Sequence, residues 1–241
     1  MTDCRYAGAE LELFAAVYNW KTYWSGRIRP FVAGDVLEVG AGIGTNTPFL
    51  DPGGNGRWVC LEPDAGLAAQ LTANLKKAAG RNSHETVSGT LQSLDPNWKF
   101  DTIIYIDVLE HIEDDRKELE NAASRLRTGG RIIVLSPAYQ WLFSTFDTGI
   151  GHFRRYNRSM LRRISPPDLR LEFLFYLDSA GLLLSSANRL LLRQSMPTKM
   201  QLRFWDKFAV PISRVLDRLL LGSAGKSIVG IWRRLEVGFS D

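Results

Sequence analysis

Apolar residues along this chain follow two rhythms, and the change between them divides the sequence. In the first half, short apolar runs alternate with amphipathic segments. The runs Asp35–Val39, Trp58–Leu61, Phe100–Ile106 and Arg131–Leu135, with the more polar His84–Ser88, predict five strands. Between them, Leu67, Leu71 and Leu75 share one face of a helix over Gly66–Ala79, with Gly80 as its stop. Glu113–Arg127 has acids early and Arg125 and Arg127 late, ahead of Gly129-Gly130, which predicts a helix whose charges complement its dipole. Ahead of the first strand, Leu11, Phe14, Ala15, Val17, Tyr18, Trp20, Tyr23 and Trp24 predict a helix or helix pair over Ala9–Pro30. Such alternation implies a parallel sheet covered on both faces.

Beyond Ser136 the rhythm changes. The stretch to Arg163 is rich in aromatics, glycine and arginine, and predicts a loop with a short helix. Leu171–Leu177 and Lys226–Val237 predict two more strands. Between them, over 182–221, helical spacing returns at Leu190, Leu191, Phe204, Trp205, Phe208, Val215, Leu216, Leu219 and Leu220, punctuated by Pro197 and Pro211. A helix pair packed on the sheet is expected to account for most of this insertion's apolar residues. A cap over an acceptor pocket and a homodimer surface are preferred for the rest over an interfacial membrane helix, because no long one-sided apolar face stands out.

Composition adds limits. The 241 residues, 45% hydrophobic and 23% charged, fit a single soluble domain: an N-terminal helical segment (1–34), a core (35–137) and a later part (138–241). The two cysteines, Cys4 and Cys60, form neither a disulfide framework nor a zinc cluster. With no signal-like segment and no apolar run of membrane-spanning length, the expected location is cytoplasmic. The net charge of +4 conceals an asymmetry: residues 151–235 hold 16 lysines and arginines against 5 acids. Such a patch attracts anions, but internal pairing with the acidic first half accounts for most of these arginines.

The densest chemical signal is Val36-Leu37-Glu38-Val39-Gly40-Ala41-Gly42-Ile43-Gly44-Thr45-Asn46-Thr47. A buried strand ending in alternate glycines turns sharply and lets a ligand approach the backbone, at a nucleotide-type pocket. Glu62, about twenty residues on, can accept hydrogen bonds from both hydroxyls of a ribose. Phe100–Ile106 leads into Asp107-Val108-Leu109-Glu110-His111.

Together these three motifs resemble the class I S-adenosylmethionine-dependent methyltransferases. The resemblance runs from Asp35 to Pro137. It implies an α/β, Rossmann-like, seven-stranded, mostly parallel sheet of order 3-2-1-4-5-7-6 with helices on both faces. It implies S-adenosyl-L-methionine as cofactor, held by Glu38, Gly40, Ala41, Gly42, Gly44, Thr45, Glu62, Pro63, Thr90, Leu91, Asp107, Val108 and His111. Many relatives carry an acid where this chain has Thr90. A dinucleotide fingerprint would have a third glycine at Asn46 or Thr47, and its absence favours the methyl donor. Ser136-Pro137-Ala138-Tyr139 and Gly151-His152-Phe153-Arg154-Arg155-Tyr156 resemble a bacterial subgroup that accompanies glycan, lipid or secondary-metabolite pathways.

Methyl transfer to a small-molecule acceptor needs alignment and, for a hydroxyl, a base. His152 is the leading base candidate, with Asp107 beside the transferred methyl. A purely structural His152, bridging loop and core, is the competing reading, and His111 is expected to be structural. Tyr139, Trp141, Phe143 and Tyr156 are expected to wall the acceptor. One of Arg154 and Arg155 is expected to bind an anionic acceptor while the other pairs with an acid such as Asp147. No metal-ligand set is recognisable. A nucleic-acid methyltransferase and a non-methylating protein or cyclase on the same scaffold are the alternatives. The first lacks an Asn-Pro-Pro-Tyr-like run and an RNA-binding appendage, so no nucleic-acid partner is expected. Peripheral membrane contact and a homodimer remain open.

Overall fold

The computed structural model describes residues 10–51, 53, 56–77, 84–192 and 198–235. Gly80, Pro197 and Val237 lie outside them. Seven strands form one sheet: β1 (Val36–Val39), β2 (Trp58–Glu62), β3 (His84–Ser88), β4 (Phe100–Ile106), β5 (Leu126–Pro137), β6 (Leu169–Leu177) and β7 (Ser227–Arg234). Their order is β3-β2-β1-β4-β5-β7-β6, as the methyltransferase resemblance implies. The first five run parallel, and β7 enters antiparallel between β5 and β6.

The helices are α1 (Glu10–Ala15), α2 (Tyr18–Ile28), α3 (Thr47–Leu50), α4 (Ala65–Lys77), α5 (Asp115–Ser124), α6 (Thr145–Gly149), α7 (Arg158–Arg163), α8 (Ser179–Ala187), α9 (Lys199–Phe204) and α10 (Val210–Leu219). Successive side chains of a strand face opposite sides of its sheet. Ile104, Ile133 and Ile231 accordingly pack with Trp24 of α2, Leu71 of α4 and Val210 of α10. Their neighbours Ile103, Ile132 and Trp232 pack with Leu119 of α5 and Leu161 of α7. β1 and β2 are buried throughout, which explains why both read as apolar runs apart from Glu38 and Glu62.

One helix boundary differs from expectation. α5 ends at Ser124, and Arg127 and Gly129-Gly130 belong to β5. Arg127 is drawn into the sheet end by Asp35 and Asp101, and Arg125 donates to the carbonyls of Leu91, Leu94 and Asp95. These partners outweigh the favourable dipole placement of two arginines in a last turn. The loop after β5 likewise holds two short helices, α6 and α7, where one was expected.

The insertion between β6 and β7 is tied down by three buried aspartates. Asp178 accepts from Gly181 N, Trp205 Nε1 and Ser213 Oγ at 3.0, 2.8 and 2.7 Å. Asp206 accepts from the N–H groups of Asn19 and Trp20, satisfying first-turn donors of α2. Asp217 accepts from Tyr23 Oη and from the N–H groups of Asp178 and Ser179. A wide π turn at Trp205–Ala209 joins α9 to α10. Pro211, which has no N–H and would crowd a carbonyl one turn back, accounts for that widening. No described helix is long and apolar enough to cross a membrane.

Candidate active site

A cavity of about 530 Å³ opens at the carboxyl ends of β1, β2, β4 and β5, where ligands bind in sheets of this topology. The loop after β1 forms its floor. Gly40, Gly42 and Gly44 have φ of +65°, +57° and +78°, a region that side chains disfavour. At Gly40 a Cβ would also meet Val108 Cγ2 at 2.6 Å. The loop is anchored by Ala41 N to Leu61 O (3.1 Å) and by Gly42 N to Glu62 Oε2 (2.8 Å). The other Glu62 oxygen accepts from Asp64 N at 3.0 Å. Burial raises the Glu62 pKa against those two N–H groups. Each carboxylate oxygen still has a free lone-pair direction for a ligand hydroxyl.

Gly40, Ala41, Gly42, Thr45, Glu62, Pro63, Thr90, Leu91, Asp107, Val108 and His111 all line this cavity. Two residues expected there do not. Glu38 lies beneath the loop, accepting from Thr47 Oγ1 (2.8 Å) and Trp58 Nε1 (3.2 Å), and burial pushes its pKa up to about 7. Gly44 sits under α4, where a Cβ would strike Leu71. Both shape the loop from behind.

The opposite wall is built of paired charges. His152 Nδ1 lies 2.9 Å from Asp147 Oδ1, and Arg155 grips both Asp147 oxygens at 2.8 and 2.9 Å. Burial alone would raise the Asp147 pKa. Hydrogen bonds from His152 and Arg155, the Arg155 charge and the Ser144 N–H outweigh it and hold the carboxyl well below its usual range. An ionised Asp147 fixes the proton on His152 Nδ1 and leaves Nε2 as the acceptor. Nε2 is 3.9 Å from Glu110 Oε1.

Glu110 is fully buried, and neither of its oxygens finds a hydrogen-bond partner among the described residues. Burial and the nearby Asp107 raise its pKa well above the ordinary value. Asp107 has φ +54° at the end of β4, and its carboxyl is open to the cavity but walled by protein. Burial raises its pKa against the charges of His152, Lys226 and Lys21. The His111 ring meets that of His152 edge-on, centroids 4.5 Å apart. Burial and then the His152 charge lower the His111 pKa to about 4.

Sequence reasoning missed Lys21, Lys226, Glu110 and Trp205, all in the cavity wall. Lys226 had a topological signal: it precedes β7, whose start pairs with the carboxyl end of β5 (Ser227 with Pro137). Burial lowers the pKa of both lysines, that of Lys21 to about 8. Glu110, His111 and His152 also bring potential ligand atoms within 4.8 Å of one another, a set that could hold a divalent transition ion. The sequence concealed this set because His152 arrives from the loop after β5.

The expected acceptor wall is largely reassigned. Tyr156 is buried, its hydroxyl on Asp115 Oδ2 (2.7 Å), and Arg154 bonds the same carboxylate and Glu113 O. Tyr139 stacks on Tyr176 with ring centroids 4.9 Å apart, and Trp141 is exposed. Arg155 lines the cavity but is committed to Asp147. Phe143 lines a second, larger cavity of about 1280 Å³, which shares Phe14, Phe146, Arg155, Trp205 and Lys226 with the first.

Residues 37–132 match the family described as a methyltransferase domain. A ubiquinone biosynthesis O-methyltransferase from Bradyrhizobium sp. (strain ORS 278) is 29% identical over 107 residues, 44% of this chain and 41% of the relative. The chain thus matches about two-fifths of that relative's own length. The N-methyltransferase NodS from Bradyrhizobium japonicum WM9 has a similar structure (TM-score 0.57, 13% identity, covering 91% of this chain and 97% of that one). So does the [4+2]-cyclase SpnF (TM-score 0.61, 12% identity, 90% and 80%). At these identities the structural likenesses speak for the fold. The matched segment, 37–132, thus resembles a methyltransferase domain and holds the glycine loop and Glu62 on one edge of a sheet with this strand order.

Proposed function

We propose that the protein transfers a methyl group from S-adenosylmethionine to a small-molecule acceptor, with oxygen the favoured acceptor atom. The observation that carries this reading is His152, held by the buried Asp147, lining the same cavity as Gly40, Gly42 and Glu62. The cavity has the volume of a site for one nucleoside-sized ligand. Gly40 leaves room that any side chain would fill, and Glu62 presents both oxygens to a ribose. Thr90 and Leu91 border the space for the base. The bound donor supplies a methyl group on a sulfonium, ready for in-line displacement.

The chain's own residues supply alignment and a proton acceptor. Asp147 holds the His152 ring in one orientation and one tautomer, leaving Nε2 to take the proton of an acceptor hydroxyl. The resulting imidazolium is stabilised by Asp147. Lys21 and Lys226 give the wall positive charge that suits an acceptor with an anionic group. Apolar side chains such as Trp20, Trp24, Phe14 and Trp205 exclude water from the reacting atoms.

The test is to incubate the protein with methyl-labelled donor and separate lipid, sugar and small-molecule fractions of its host. Label in one fraction, dependent on His152, is expected. Donor binding without any labelled product would favour the non-methylating reading, for which the fold likeness to a cyclase is the motivating observation.

A further inference from the structure

The outer face of the α9–α10 helix is built for a surface that is at once apolar and negatively charged. From Lys199 to Leu221 every exposed side chain is apolar or basic. Met200, Phe204, Phe208, Ile212, Val215 and Leu219 are 52–78% exposed and recur every three or four residues, so they form one stripe. The sequence reading found no such one-sided face, because Trp205, Val210 and Leu216 interleave with the stripe and blur its period. The π turn at Trp205–Ala209 adds to the blurring by slipping the helical phase between Phe204 and Ile212.

The charges are sorted as strictly as the apolar groups. The segment has two acids, Asp206 and Asp217, and both are buried on the inner face as anchors to α2 and α8. Lys199, Arg203, Lys207 and Arg218 are exposed beside the stripe, with no exposed acid between them. Lys207 lies over the Phe208 ring at 5.6 Å, and Phe204 and Phe208 pack with centroids 5.3 Å apart. Apolar patches of this extent on a protein surface mark an interaction site.

We propose that this helix seats the protein on an anionic membrane surface, lying in the interfacial plane. At 21 residues from Lys199 to Leu219 it spans about 30 Å. Its aromatic and aliphatic stripe reaches the acyl boundary, while the lysine and arginine stems extend back to the headgroups. A second copy is a poor occupant, because isologous pairing would set two acid-free basic faces against each other. A nucleic acid would take the cations and leave the apolar stripe in water. The second cavity adds a further reason for lipid: Met200 and Phe204 of the stripe line it together with the exposed Leu184 and Leu190. The stripe thus borders a cavity that shares Phe14, Trp205 and Lys226 with the candidate active site.

The test is flotation of the full chain with vesicles of phosphatidylcholine alone or mixed equally with phosphatidylglycerol, without methyl donor. Binding to the mixed vesicles, weak binding to phosphatidylcholine and loss in high salt are expected. Phe208→Asp with Ile212→Asp should lower binding at least about tenfold at unchanged thermal unfolding, since both side chains are exposed. Arg203→Gln and Lys207→Gln should each lower it by about fivefold. Absence of vesicle binding overturns the proposal. So does a dimer by light scattering that Phe208→Asp dissociates, when neither species floats with anionic vesicles.

Discussion

The two ends of the central cavity are made of different materials. The glycine-loop end is mostly backbone: three positive-φ glycines and the N–H groups of Gly42 and Asp64, tied to one carboxylate. The opposite end is mostly side chain: Asp147, His152, Arg155, Glu110, Lys21 and Lys226, gathered from α2, α6 and three separate loops. A backbone site depends on short, local sequence and tolerates little variation. A side-chain site depends on tertiary placement and can be rebuilt for another acceptor on the same sheet.

If the two ends are separable in this way, His152→Ala should act at one of them only. Turnover with an oxygen acceptor is expected to fall by about 10²–10⁴-fold while donor affinity stays unchanged, measured by steady-state kinetics and calorimetry. Equal loss at both ends would break the comparison. Asp147→Ala removes the partner of a buried arginine and is expected to cost about 3–5 kcal/mol in denaturant unfolding. A cost under 1 kcal/mol would mean that the pair is not an organising element of the acceptor end.

A pH measurement sharpens the contrast further. His111 is held at about 4 in the folded chain against 6.5 for a free imidazole. A depressed histidine contributes stability that is present above pH 6.5 and drains away as pH falls through the folded value. The unchanged chain should therefore lose up to about 3 kcal/mol relative to His111→Gln between pH 6.5 and 4. Parallel stability curves for the two proteins would contradict it. The smallest effect is expected from Arg154→Ala. Its pairing with the buried Asp115 predicts an unchanged KM for the acceptor and a cost of about 2 kcal/mol in stability.

Legibility in the sequence follows the same division. β1, β2 and β4 declare themselves because a strand buried on both faces is mostly apolar, and the loop because its run of positive φ angles favours glycine. Glu62 follows from fixed spacing along one β-α-β unit. The acceptor end offers no such rule. Arg154 and Arg155 are neighbours in sequence, yet one turns to Asp115 and the other to Asp147. Tyr156 reads as a pocket aromatic, but its hydroxyl is claimed by Asp115 and the carbonyl of Leu109. Lys21 enters from a helix before β1, where nothing local marks it. The end of α5 is hidden in the sequence for a related reason: Arg127 answers to Asp35 and Asp101, distant in sequence and adjacent in the sheet.

The central claim is that the glycine loop and Glu62 hold S-adenosylmethionine, and isothermal calorimetry with the demethylated product S-adenosylhomocysteine tests it most directly. One site per chain is expected, with micromolar affinity, weakened about tenfold or more by Glu62→Ala and by Gly40→Val. No heat of binding from folded protein with either the product or the donor, or affinity unchanged by both substitutions, would contradict it.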